Sequence, residues 1–365
     1  MKKHGKKVNS RKAEWKDKPA ITVGLDLGDR HSHYCILNKD GEVTEEGEVP
    51  TTEAGLRKLF EGEDRQRIAL ECGTHSPWVS RLLKKLGHQV IVANARQIPA
   101  LTGSDSKNDR NDAEYLARFA YSDPWLLKPI QHRSAERQKD LNLMQVRDTL
   151  VRARTMIINS MRGLIKSAGG RLPQCSAESF SRRTKDSIPV EMHELVTPLR
   201  EQSQLLTDQI LLLDKRIEKL AEQYPEIVTL RTVPGVGPLI AAAYVLTLDR
   251  PDMLANSRQA GAFLGLRPRQ RQSGDSDPQC RISKNGNQYL RRLLVQGAHY
   301  ILRRKSPDSA LRRWGLRLAG SGGQRGKKRA VVAVARKLAV LLHRLWTTGK
   351  SYQPFPESPA TVGAQ

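Results

Sequence analysis

Acidic residues are scarce in this chain of 365: 38 Asp and Glu stand against 62 Lys and Arg, for a formal net charge of +24 and a sequence pI of about 10.2. That imbalance argues against an ordinary cytosolic enzyme of small molecules. It is the footprint of a polyanion binder, with nucleic acid as the first reading and an anionic membrane surface as the competitor. Long apolar runs are missing as well. None approaches the roughly 20 residues that cross a bilayer, and mean hydropathy is −0.55, so no membrane partner is expected. Cysteines are few: Cys35, Cys72, Cys175 and Cys280 lie far apart with no C-x-x-C spacing. The expectation is reduced thiols in a cytoplasmic protein, with neither a zinc site nor a disulfide framework. The opening Met1-Lys2-Lys3-His4-Gly5-Lys6-Lys7 lacks the apolar segment of a secretory signal, and residues 1–19 read as a basic disordered arm.

Among the scarce acids, four stand in suggestive places. Asp109 and Asp112, in Lys107-Asn108-Asp109-Arg110-Asn111-Asp112-Ala113, are spaced i, i+3 and share one face of a helix, near enough to grip a divalent cation. Such a pair alone is weak, because solvated helices carry many. Asp26 closes the apolar run Ile21-Thr22-Val23-Gly24-Leu25, and Glu71 closes Ile68-Ala69-Leu70; carboxylates that end buried strands lie where sites are usually built. Together the four would make a two-metal site for phosphodiester chemistry. His31, His33 and His75 lie near them and read as structural or surface histidines before metal ligands or proton shuttles. Asp29 reads as a turn residue.

The patterning predicts strands over 21–27, 31–37 and 42–49, with a hairpin turn at Asp40-Gly41. A helix over 53–60 capped by Thr52, a buried strand over 67–70, a helix over 77–86 closed by Gly87, a strand over 90–93 and a helix over about 110–120 follow. Three strands followed by helix, strand, helix, strand and helix is the element order of ribonuclease-H-like α/β domains, here 20–130. A long helix over 134–167 and a second after Pro198, ending before Pro225, keep near-heptad spacing and predict a coiled-coil linker over 131–225. Whether the two pair as a hairpin within one chain or make an oligomer contact stays open. A mostly α domain over 226–348 begins with Val233-Pro234-Gly235-Val236-Gly237-Pro238, a helix-hairpin-helix-like turn whose amides would face a phosphate, or else a plain Gly-rich turn before a buried helix over 239–248. Gly265-Leu266-Arg267-Pro268-Arg269-Gln270-Arg271-Gln272-Ser273-Gly274 moves from core into a basic loop, and Lys284, Arg291 and Arg292 flank the next helix. Arg267, Arg269 and Arg271 would neutralise phosphate or form a solvated loop. On local sequence Ser273 is a turn residue before Gly274. Ser321-Gly322-Gly323 is a flexible break before a helix over 327–345, and 349–365 reads as a disordered tail.

Taken together, G-L-D-L-G at Gly24, A-L-E-C-G at Ala69, K-N-D-R-N-D-A at Lys107, V-P-G-V-G-P at Val233, and G-L-R-P-R-Q-R-Q-S-G at Gly265 with S-K-N-G-N-Q-Y-L-R-R-L-L after it resemble the DEDD transposases of bacterial insertion sequences, the insertion-sequence-110 family, from about residue 20 to about 345. The resemblance implies a RuvC-like domain with the catalytic set Asp26, Glu71, Asp109 and Asp112 holding Mg²⁺, a coiled-coil linker, and a C-terminal transposase domain whose Ser273 is the nucleophile. It further implies DNA as substrate, a structured guide RNA encoded by the element, a homo-oligomer, and a bacterial cytoplasmic location on the nucleoid. Asn108 stands where the family pattern has Thr, and Cys72-Gly73-Thr74 replaces its residues after the Glu; both leave the carboxylates intact.

Rival readings remain. A RuvC-like nuclease would use the four acids with water and not need Ser273, and a DNA invertase would share every residue named. Asp26-Leu27-Gly28-Asp29 also resembles the first phosphate loop of actin and sugar-kinase ATPases, but no second such loop or adenosine-binding Gly-Gly motif is convincingly placed. A non-catalytic RNA-binding protein would not need all four acids.

Overall fold

The strand β1 (Thr22–Asp26) lies at the centre of a five-stranded sheet ordered β3-β2-β1-β4-β5. The computed structural model describes residues 17, 19–94, 109–272, 276, 278, 280–320 and 322–355, the side chains of 109 and 110 excepted. Antiparallel pairing joins β1 to β2 (His31–Leu37) and β2 to β3 (Val43–Pro50), with Asp26 opposite His33 and His31 opposite Pro50. Parallel pairing joins β1 to β4 (Arg67–Glu71) and β4 to β5 (Gln89–Ala93), with Leu25 beside Leu70 and Glu71 beside Ala93. Helices α1 (Glu53–Phe60) and α2 (Ser76–Lys85) make the two parallel crossovers, and α3 (Asp109–Ser122) covers the opposite face. Thr52 caps α1 as the sequence predicts, its hydroxyl accepting from the Gly55 amide at 3.1 Å.

Side chains alternate across a strand, so each residue's face follows from its neighbours. Val23 and Leu25 of β1 join Ile68 and Leu70 of β4 under Leu56, Phe60, Val79 and Leu83 of α1 and α2. Full burial of Leu56 and Phe60 contributes about 1.5–3 kcal/mol each. On the other face Ala69, Ile91 and Ala93 meet Leu116 and Ala120 of α3. Arg67, 1% exposed, closes that layer: its guanidinium donates to Gln89 Oε1 (2.6 Å), to the Ala120 carbonyl (3.1 Å) and to the Asp17 carbonyl (2.8 Å). Asp17 also pairs with Arg65 at 2.7 Å, so that part of the N-terminal segment is held, while 1–16 lie outside the described residues.

The chain divides into two compact units between Arg133 and Ser134. The second is helical: α4 (Ala135–Ser167), α5 (Phe180–Thr184), α6 (His193–Glu222), α7 (Pro225–Leu230), α8 (Pro238–Leu248), α9 (Ala260–Phe263), α10 (Gln288–Ile301), α11 (Ala310–Gly320) and α12 (Gly323–Thr348). Helices α4 and α6 pack against each other within the chain, and antiparallel: Arg147 pairs with Asp214 at 2.8 Å, and Arg154, seven residues on, donates to Thr207, seven residues back, at 3.1 Å. The hairpin alternative thus describes them. Their far ends, Leu141, Met144, Ile217 and Leu220, join the core around α8 and α12. Helix α6 starts ahead of the expected point. Pro198 lies inside it, forgoing one amide bond near the start while Val196, 0% exposed, anchors the first turns. Helix α8 is buried from Ile240 to Leu248, and its Tyr244 hydroxyl donates to the Ala339 carbonyl of α12 at 2.6 Å. The tail is held farther than expected. Thr232 Oγ1 accepts from the Tyr352 amide (3.2 Å) and the Pro354 carbonyl from the Ala310 amide (2.9 Å), while 356–365 lie outside the described residues.

Gly24 is where α3 touches the sheet. A β-carbon there would overlap the Ala113 carbonyl oxygen and lie 2.5 Å from the Ala117 amide nitrogen, both backbone atoms. Gly24→Ala is therefore expected to cost about 1–3 kcal/mol in chemical denaturation. Gly73→Ala, whose new carbon meets nothing within 4 Å, should stay within about 0.5 kcal/mol. Equal stability of the two variants would refute the contact.

Candidate functional site

The alternation that sorts the cores also places the acids. Asp26 shares the face of Gly24, two residues before it on β1, and Glu71 shares the face of Ala69 on β4; both faces look toward α3. Helix α3 runs opposite to β1. Its Ala113 lies over Gly24, and seven residues on its Ala120 carbonyl meets Arg67 at the start of β4. The first turn of α3, from Asp109 to Asp112, is thereby carried to the edge where β1 and β4 end in Asp26 and Glu71. Both strand acids are half-buried and Asp112 is 9% exposed. Asp109 is the first residue of α3, and its side chain lies outside the description. Among the described residues no three His, Cys, Asp or Glu form a group able to hold a metal ion. Asp26, Glu71 and Asp112 are therefore not gathered into such a group. The donor chemistry fits a hard cation, since all four are carboxylates.

Around this edge His33 and His75 have side-chain partners, while His31 is exposed. His33, opposite Asp26, reaches Glu48 at 3.5 Å, and His75 reaches Asp29 at 3.5 Å while accepting from the Trp78 indole at 3.1 Å. Reading the sequence missed one pair. Ser76, fully buried at the start of α2, ties the turn after Glu71 through the Gly73 amide (3.0 Å) and carbonyl (2.8 Å), and its hydroxyl meets His132 Nε2 at 2.9 Å. No motif marks His132; only the return of the chain along β5, where the Ile130 amide donates to the Val92 carbonyl at 2.9 Å, brings it there.

In the second unit, two turns interlock by backbone. Gly265 (φ +65°) packs on the backbone of Lys284 and Asn285, and Gly286 (φ +80°) on the Phe263 carbonyl, with no room at either for a β-carbon. From this base the chain 266–269 pairs with 281–283: the Arg269 amide donates to the Arg281 carbonyl (3.0 Å) and the Ser283 amide to the Arg267 carbonyl (2.8 Å). Arg267, Arg269, Arg271 and Lys284 are exposed on this arm, and Arg267 touches Gln270. Ser273 lies outside the described residues. Arg291 is committed to the fold, donating to the Leu264 and Asn285 carbonyls at 3.0 Å each. Arg292 grips Asp148 of α4 with contacts of 2.8 and 2.7 Å. At the Gly-rich turn, Gly235 (φ +83°) packs on the Gly297 carbonyl of α10, and Gly237 caps α8 with Pro238 next. That leaves the Leu239 and Ile240 amides without intrahelical acceptors.

Burial, then the nearby charges of Arg81, Lys84 and Arg133, push the His132 imidazole down to about 4 from its ordinary 6.5. The folded unit holds the ring neutral. Stability is therefore complete above pH 6.5 and falls as the pH drops toward 4, where the unfolded chain takes up a proton that the folded chain refuses. Discounted for partial exposure, the loss attributable to His132 is about 1–2 kcal/mol. Urea melts at neutral and acid pH should show His132→Gln losing less stability on acidification than the wild type; parallel losses would contradict this.

Residues 23–169 match the DEDD transposase family of IS110, described as "Transposase", and residues 228–312 match the "Transposase IS116/IS110/IS902 family". A probable family 20 transposase of Pseudomonas aeruginosa is 30% identical over 91% of this chain and 98% of its own length. The transposase for insertion sequence element IS1111A of Coxiella burnetii is 30% identical over 77% of this chain and 78% of its own. The transposase for insertion sequence element IS1328 of Yersinia enterocolitica is 28% identical over 91% and 98%. With two family matches in order along the chain and a relative of such coverage, the chain belongs to the IS110 family of transposases.

Proposed function

We propose that this transposase cuts and rejoins DNA with a metal site of Asp26, Glu71, Asp109 and Asp112 and with Ser273 as the nucleophile, guided by a structured RNA encoded by its element. One observation carries the reading: α3, seated on Gly24, brings its first turn to the strand ends that bear Asp26 and Glu71. The strand order, three antiparallel strands followed by two parallel ones, supports a ribonuclease-H-like, RuvC-like assignment for the first unit. Mg²⁺ ions held by the four carboxylates would neutralise the phosphate and stabilise the leaving oxygen. Ser273 Oγ attacks phosphorus, a P–O bond of the strand breaks, and the departing oxygen takes a proton. The phosphoserine ester keeps the bond energy, so a DNA hydroxyl can later expel the serine and rejoin the strand without ATP. Arg267, Arg269, Arg271 and Lys284, exposed on the arm, offset phosphate charge, and the free amides of α8 behind Gly235 and Gly237 offer a further phosphate contact. The guide RNA, homo-oligomeric assembly and a cytoplasmic, nucleoid-associated location rest on the family likeness. No helix among the described residues is long and apolar enough to cross a membrane.

A denaturing gel tests this, with element-end DNA, its flanking RNA and Mg²⁺. Wild type should give a covalent protein–DNA adduct. Ser273→Ala should abolish it, and Asp26→Asn should lower its yield at least about 100-fold, the scale of removing one electrostatic stabiliser of a transition state. Cleavage without adduct that survives Ser273→Ala would mean a nuclease that uses water, and the serine assignment would fall.

A further inference from the structure

A groove in the second unit, about 800 Å³ in volume, runs between α9, α12 and the tail. Its cations are Arg258, Arg267, Arg336, Lys337 and Arg344, and no acidic side chain among the described residues lines it. Arg258, Arg336 and Arg344 are exposed, and the guanidinium of none of them has a hydrogen bond or ion pair to another described residue. A helix repeats every 3.6 residues, so on α12 Arg336, Val340 and Arg344 make one row and Lys337 and Leu341 a second beside it. Charge therefore stands at the two ends, about 12 Å apart, with an apolar floor of Val340 and Leu341 between them. Tyr352 forms the wall opposite, on a tail fixed by the Tyr352–Thr232 and Pro354–Ala310 hydrogen bonds and by Phe355 under the Arg313 guanidinium at 4.8 Å. The close seat of α9 on α12 depends on Gly261, whose missing β-carbon leaves room for the Arg336 stem.

We infer that this groove binds an unpaired stretch of polynucleotide, its phosphates at the cationic ends and a base or sugar on the apolar floor beside Tyr352. A duplex hides its base faces by stacking and offers mainly phosphate, so it has no use for the floor; an unstacked strand uses both features. The cavity is of the size that encloses a small molecule, about 300–1,000 Å³, which suits a nucleotide unit. Arg267 lines the groove and also begins the arm that leads along the chain to Ser273. The inference rests on the reading of this chain as a nucleic-acid recombinase and adds the strand state that it grips and the place.

Fluorescence anisotropy with the full chain tests it, using mixed-sequence single-stranded RNA, single-stranded DNA and a blunt duplex as probes. Arg336→Ala/Arg344→Ala should weaken binding of single strands about tenfold at moderate salt and lower the salt slope by about two, one for each lost phosphate contact. Duplex affinity should stay within about twofold. Comparing the two single strands shows whether RNA or DNA is the better occupant. Independently of any variant's folding, wild type photo-crosslinked to an oligonucleotide carrying 4-thiouridine or 4-thiothymidine should yield adducts in the peptides holding 336–344 or Tyr352. Equal losses for single strand and duplex, unchanged single-strand binding, or crosslinks only elsewhere would each overturn the groove. Wild type that binds no nucleic acid at all would sink the proposed function with it, whereas a groove failure with the Ser273 adduct intact leaves that function standing.

Discussion

The acidic edge depends on a contact that contains no side chain. Helix α3 lies on β1 with the carbonyl of Ala113 and the amide of Ala117 against the α-carbon of Gly24. A residue of any other type would hold the helix off the sheet by the width of a carbon atom. Carboxylates that share a metal ion must keep their distances within about 0.2 Å. Two of the four acids are fixed to strand ends and two to the first turn of α3, so the helix-to-sheet spacing is also the spacing between the halves of the proposed site. Arg67 works at the other end of the same helix, holding the Ala120 carbonyl down onto β4 and β5. One glycine and one buried arginine thus fix both ends of α3.

The second unit repeats the device at its basic arm. Gly265 and Gly286 let two turns interlock through backbone atoms, and Arg291 ties both turns through the Leu264 and Asn285 carbonyls. The base of the arm is rigid for this reason, while its arginines project outward. A reactive group carried by a loop gains accuracy when the loop's root is over-determined. With the proposed Ser273 nucleophile, that would be the physical sense of the glycines in G-L-R-P-R and S-K-N-G-N, which composition alone would class as turn residues.

Much of this was legible in the sequence. The strand-closing acids, the Thr52 cap, the Gly87 stop and the first long helix each follow from local periodicity and capping, and the structure has them within a few residues of the expected bounds. The partner of the long helices was not legible, because heptad spacing is the same whether the mate is in the same chain or another. The start of α6 was hidden by Pro198, which usually marks a helix's first turn but here sits one turn deeper. The Ser76–His132 pair was invisible because it joins residues 56 apart in the chain through tertiary contact alone. The tail looked disordered from its prolines, yet backbone hydrogen bonds to Thr232 and Ala310 hold it through Phe355.

Charge shows most sharply what sequence withholds. A net +24 points to a polyanion as partner, but not to where it would lie. A guanidinium already paired within the fold must surrender that pair before it can meet a phosphate, so its gain on binding is small. Arg291 and Arg292, beside a motif and conspicuous in the sequence, are of this kind, held by carbonyls and by Asp148. Arg336 and Arg344, inconspicuous on the amphipathic α12, have no such commitment. The fold therefore sorts the arginines into those tied into the protein and those whose guanidinium groups are uncommitted among the described residues, and the proposed groove draws on Arg336 and Arg344 of the second kind.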